Sequence, residues 1–138
     1  MINNNMRVEE YTNDMYPFIK TWWELCGWEP VSKLLLPKTG YVIWNDNEPV
    51  CAAWYIKTNA PTAWIEWVIK NPNADNKVVK KGLTMLYDTI ESVAKEDGYV
   101  LILTMLEHEG LKSFVSDRGW KSTDKKLDAY IKNLGGNL

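Results

Sequence analysis

With 138 residues, 46% of them hydrophobic and 25% charged, the chain has the balance of one soluble domain with room for a core. A net charge of −2 and a pI near 5.4 argue against a general nucleic-acid binder, which needs a clustered basic surface; only a local basic patch at Lys77, Lys80 and Lys81 is present. No signal peptide or bilayer-length apolar run is visible, and Cys26 and Cys51 have no disulfide framework, so a cytoplasmic setting is expected.

Met6–Tyr11 alternates and predicts a first strand. Asn13 or Asp14 can cap a helix, Pro17 suits its first turn and Gly27 can end it. A second helical piece is expected over Val31–Leu36, stopped by Pro37. Gly40–Trp44 and Pro49–Lys57 read as strands joined by a turn at Asn45–Glu48, and Thr58–Pro61 turns into a third, Ala63–Lys70. Successive turns of this kind imply an antiparallel meander. Asn71–Asn76 is turn chemistry, followed by a long amphipathic helix with apolar residues at Val79, Leu83, Leu86, Ile90 and Val93, closed by Asp97-Gly98. Tyr99–Leu106 is almost continuously apolar and predicts a central strand buried on both faces. Glu109–Arg118 predicts a short helix ended by Gly119, and Trp120–Ser122 with Lys126–Lys132 a last hairpin.

A strand that feeds a loop at a helix N-terminus can build an anion site from main-chain N–H groups and the helix dipole, and lysines add charge. The segment from Ala63 to Gly98 therefore suggests a phosphate-bearing ligand, against the plainer reading of solvated lysines on a packed helix. Eight tryptophans are the compositional oddity. Trp44, Trp54, Trp64 and Trp67 are expected to fill the core. Trp22 and Trp23 are adjacent and cannot face the same way on a helix, so at least one is expected to line a groove or partner surface. A tryptophan-rich surface would also suit a homodimer.

The order β-α-α-β-β-β-α-β-α-β-β, with its loop before the long helix, resembles the GCN5-related N-acetyltransferase (GNAT) family over most of the chain. The resemblance implies a mixed, mostly antiparallel α/β (α+β) sheet flanked by helices, in one domain over residues 1–138. In that family the loop reads Arg/Gln-x-x-Gly-x-Gly/Ala and its amides hold the pyrophosphate of acetyl-CoA. The matching residues here are Lys77-Val78-Val79-Lys80-Lys81-Gly82, followed by Leu83, with a lysine in place of the first glycine. The main chain of Val68 and Ile69 would pair with the pantetheine amides. Gly119-Trp120 stands at the family's Gly-Phe, which puts Val115 at the usual tyrosine acid and His108 at the usual asparagine. Valine cannot donate a proton, and Tyr87 or Tyr130 could substitute only if the fold brought one close.

The implied activity is acetyl transfer to a small-molecule or protein amine, with no metal. Glu66, mid-strand among Trp64, Ile65, Trp67 and Val68, is the candidate base if buried; the competing reading has it facing solvent. His108 can act as acid or base, contact pantetheine, or merely cap a helix. Trp22, Trp23 and Trp28 would shape the acceptor groove. Cys51 lacks the partnered base an acyl-carrying nucleophile needs. The replaced glycine and absent tyrosine motivate an alternative, a catalytically inactive binding or structural protein. The chain's length and order also suit a small phage-encoded member, sited in the host cytoplasm or the virion.

Overall fold

Turn residues and alternating strands build one five-stranded sheet in the computed structural model, which describes residues 5–123 and 128–137. The chain divides into two compact units, one running to Leu103 and the other from Thr104 to Asn137. In the first unit β1 (Met6–Glu10), β2 (Gly40–Asn45), β3 (Glu48–Ile56) and β4 (Thr62–Lys70) form the expected antiparallel meander. Asp46, at φ 54°, makes the tight β2–β3 turn in a conformation that Asp tolerates better than most residues. Helix α2 (Asn76–Glu96) carries the chain to β5 (Leu101–Leu103), which pairs parallel to β4 and ends the sheet. Among the described residues no helix is long and apolar enough to cross a membrane.

Each face of the sheet carries one helix. Val79, Gly82, Leu86 and Ile90 recur at helical spacing and bury one stripe of α2 against β2 and β3. Gly82 is the close-approach point: a Cβ there would meet Val50 Cγ1 at 3.0 Å and Cys51 Sγ at 3.3 Å. On the other face α1 (Tyr16–Leu25) packs Ile19, Trp22 and Trp23 against Tyr11, Val42, Ala52, Trp54 and Ile69. Trp23 stacks on Trp54 with centroids 6.1 Å apart, and Tyr11 meets the same indole edge-on at 5.0 Å. The C-terminal end of α2 is tied to β3, where Tyr55 donates to Asp97 Oδ2 at 2.8 Å and Lys57 lies 3.6 Å from the same oxygen. Burial and that bond to a carboxylate push the Tyr55 phenol upward.

Three expectations need correction. The helical piece over Val31–Leu36 is only a 3-10 turn, Lys33–Leu35, started by the Ser32 side chain accepting from Leu34 N at 3.2 Å; the segment is too short to propagate a helix before Pro37. The apolar run 99–106 yields a three-residue strand at the end of the sheet, with Val100 75% and Leu101 62% exposed. Continuous hydrophobicity marks a doubly buried strand only where another strand lies beyond it. In the second unit α3 (Glu109–Asp117) forms and Gly119, at φ 93°, closes it, but residues 120–122 and 128–132 form no strand. Residues 126 and 127 of that expected hairpin lie outside the described residues. Tyr130 and Ile131 are exposed, and alternation specifies a strand only where a sheet receives its apolar face.

Gly40 makes the core of the α1 face possible. It pairs with Trp54, and a Cβ on Gly40 would stand 2.5 Å from Trp54 Cδ1, so the fully buried indole lies across the bare α-carbon. Gly40→Ala is therefore expected to destabilise the fold by about 1–3 kcal/mol through overpacking. Urea unfolding checks this; an unchanged midpoint would mean that the indole has room to move.

Candidate functional site

The sheet opens at β4. This strand keeps β3 as its neighbour out to Lys70, whereas β5 pairs only with Thr62, Ala63 and Trp64. From Ile65 onward the edge of β4 away from β3 has no strand partner among the described residues. A bulge sits within this open stretch. The register passes from Trp54–Glu66 to Ala52–Ile69, so Ala53 stands opposite both Trp67 and Val68. Trp67 takes φ 59°, a left-handed conformation that is strained for a bulky side chain.

Glu66 is the second residue of the open stretch and is 9% exposed, the one carboxylate among the buried described residues. Directly paired residues share a face, so its partner Trp54 places Glu66 on the α1 side rather than on a solvated one. Trp67, half-buried, packs against the same core. Consecutive strand residues normally point to opposite faces. The bulge puts both of these on one. Val68, half-buried, and Ile69, buried, follow in the same open stretch, which ends at Lys70.

The lysine segment differs from its sequence reading. Lys77-Val78-Val79-Lys80-Lys81-Gly82 is not a loop, because α2 begins at Asn76 and these residues form its first turns. Asp75 caps the helix: its Oδ1 accepts from Lys77 N at 2.8 Å and its carbonyl from Val79 N at 2.9 Å. The preceding turn is likewise closed. Asn73 N bonds to Asn71 Oδ1 and Ala74 N to Asn71 O, while Asn71 Nδ2 donates to Pro49 O at 2.9 Å. The main-chain donors expected at Val79 and beyond are thus engaged by the helix itself. Lys77, Lys80 and Lys81 are exposed and lie about one turn apart, opposite the stripe of Val79 and Gly82 that faces the sheet; Leu83 is half-buried beside it.

Trp22 and Trp23, at 4% and 3% exposure, are both core, which corrects the expectation that one lines a groove or partner surface. Neighbours 100° apart can both be buried when a helix is covered on two sides. Trp23 meets the sheet through Trp54, and Trp22 lies against Phe18 at 5.3 Å. The loop beyond α1 folds back, with the Tyr16 hydroxyl donating to Val31 O at 2.7 Å. Only Trp28 of the three stays exposed.

His108 belongs to the second unit, where its Nδ1 accepts from Leu111 N at 3.3 Å as the N-cap of α3. Of its three readings the cap is the one with a visible bond. Val115 is buried in α3, and its carbonyl accepts from Trp120 N at 3.0 Å, completing the helix end around Gly119. Tyr87 is buried on α2 and Tyr130 is exposed. Two features that matter here do not figure in the sequence reading: the Asp75 cap, and the bulge at Trp67, a residue expected only to fill the core. Asp75 had a signal, a capping residue directly ahead of an apolar helical repeat. Trp67 had none, since nothing in its residue type announces a left-handed bulge.

No family model and no curated protein matches the chain. Solved structures do match it closely in shape. An aminoglycoside acetyltransferase from an uncultured soil metagenomic sample, in complex with sisomicin, superposes with a TM-score of 0.68 at 15% identity, covering 96% of this chain and 99% of that one. An integron cassette protein from the mobile metagenome of V. cholerae gives 0.71 at 13% identity and 96% coverage of both chains. A GNAT-family acetyltransferase from Streptococcus pneumoniae gives 0.64 at 12% identity, covering 92% and 98%. The fold is that of the GNAT acetyltransferases.

Two outcomes test the local assignments. His108→Ala is expected to speed amide exchange through α3 by roughly fivefold, the equivalent of losing a cap of ~1 kcal/mol, while His108→Asp holds the native rate; equal rates in both would remove the cap. Cys51 is buried beneath α2, and desolvation pushes its thiol far above the usual range, so the reactive thiolate is suppressed at neutral pH. A thiol reagent should therefore label Cys26 in the native protein and reach Cys51 only on unfolding.

Proposed function

We propose that the chain is an N-acetyltransferase that moves the acetyl group of acetyl-CoA to an amine acceptor by direct attack on the thioester. The observation that carries this reading is the coincidence, on a GNAT fold, of the open edge of β4 with its buried carboxylate Glu66. The edge from Ile65 to Lys70 fits an extended chain that brings its own amides, so the main chain of Val68 and Ile69 is the expected holder of pantetheine. When bound, acetyl-CoA supplies an acetyl group already activated as a thioester. Glu66 takes the proton that an ammonium must lose before its lone pair is free, and its buried setting suits a base.

The α2 N-terminus does not fit a diphosphate held by main-chain amides. Asp75 already sets a carboxylate on Lys77 N at that end, so Lys77, Lys80 and Lys81 are offered to phosphate chiefly as side-chain charges. This feature favours a second reading, a GNAT-fold protein without catalysis that serves as a binding or structural component.

Calorimetry with acetyl-CoA, paired with a CoA-release assay over a broad amine panel, separates the two. Weak binding is expected for the native chain. Asp75→Asn should tighten it several-fold, because Asn keeps the cap and removes a like charge. Glu66→Gln should lower turnover by about 100-fold or more while leaving cofactor binding intact. No heat at millimolar acetyl-CoA in either protein would defeat the enzyme reading; turnover of any amine would defeat the second.

A further inference from the structure

We infer that two copies of this chain exchange their C-terminal segments, residues 128–132 of each copy adding as an antiparallel strand to the free edge of β5 in the other. The inference is independent of the acetyl-transfer reading. Two unmatched halves carry it. β5 is the last strand of the sheet and has no neighbour on its outer side among the described residues. Residues 128–132 alternate in polarity over the length of a strand, yet pair with no strand among the described residues. Asn133 closes them with a turn, its Oδ1 accepting from Gly135 N and Gly136 N at 2.7 Å.

The two ends of the sheet are built differently. β1 carries Arg7, Glu9 and Glu10, charges of the kind by which an edge strand resists pairing. β5 reads Leu101-Ile102-Leu103 without a charge, and Leu101 is exposed. Such an edge suits another strand better than water. The occupant is read from the same chain, since both halves stay unpaired among the described residues of one copy and a second copy supplies each with what it lacks. With Ile131 opposite Leu101, Ala129 falls opposite Leu103. Directly paired residues share a face, so the exposed Leu101 and Ile131 side chains cover each other. Antiparallel pairing is the slightly more stable sense. It also brings Lys132 opposite Val100, next to the carbonyl end of α2, which favours a cation. The exchange is reciprocal, so two equal contacts close the dimer and leave no β5 edge to recruit a third chain.

Sedimentation velocity of the full chain should show a dimer. Leu101→Lys and Ile131→Lys should each weaken it by about tenfold or more, because the new charge would be covered without a partner, while circular dichroism stays unchanged. In a Cys26→Ser background, a Leu101→Cys chain mixed with an Ile131→Cys chain should form a disulfide-linked pair under oxidised glutathione, since directly opposite residues stand within disulfide reach. A chain carrying both cysteines should link between copies. Should a lysine variant fail to fold, the cysteine pair still decides. A monomer at every concentration, a dimer indifferent to both lysines, or a disulfide closed within a single chain would overturn the inference. CoA release is measured on the same samples. A dimer without release leaves the exchange standing and defeats the transferase reading; release from a monomer does the reverse.

Discussion

The backbone at Trp67 governs this fold. One extra residue in β4, accommodated by a left-handed tryptophan, lies in the stretch that stays paired with β3 after pairing with β5 has ended at Trp64. A regular β4 would continue alternating, and Glu66 and Trp67 would then point to opposite faces. The bulge thus sets which side chains stand beside the opening in the sheet. Strain of about 1–3 kcal/mol is the usual cost of such a residue, and the aromatic packing of the α1 face offsets it.

The second constraint lies at α2, where helix packing and anion binding compete for the same turns. Gly82 allows the helix to approach the sheet so closely that a Cβ would stand 3.0 Å from Val50. In a phosphate loop glycines serve the ligand. Here this glycine serves the core. Asp75 then completes the helix with its own carboxylate and carbonyl, which stabilises the N-terminus by the interactions a bound anion would otherwise supply. The sheet geometry and the start of α2 are therefore fixed by separate interactions.

Much of this was legible from local chemistry. The meander follows from Asx and Pro turns between alternating strands, α1 and α3 end at Gly27 and Gly119, both with positive φ, and Glu66 reads as a charge in an apolar strand. Three of the differences share one cause: each depends on a neighbour that the local sequence does not specify. Tyr99–Leu106 needed a strand beyond it, the 126–132 segment needed a sheet to receive its apolar face, and the Trp22–Trp23 pair is buried only because α1 is covered on two sides. The lysine loop failed for a different reason. A motif match with one altered glycine was read as a loop, although the Asp cap and apolar repeat already specified a helix over the same residues.

These features divide the site into parts with independent physical bases. The carboxylate and indole are fixed by β4 and its packing on the α1 face, whereas Lys77, Lys80 and Lys81 lie on the side of α2 away from the sheet. A change at the α2 cap need not disturb β4, because neither hydrogen bond of the Asp75 cap runs through Glu66 or Trp67. On the proposed acetyl-transfer reading, acceptor binding and cofactor affinity would therefore change independently. On that reading a substitution at the α2 cap would alter the cofactor side alone, because the cap and the bulged strand share no bond.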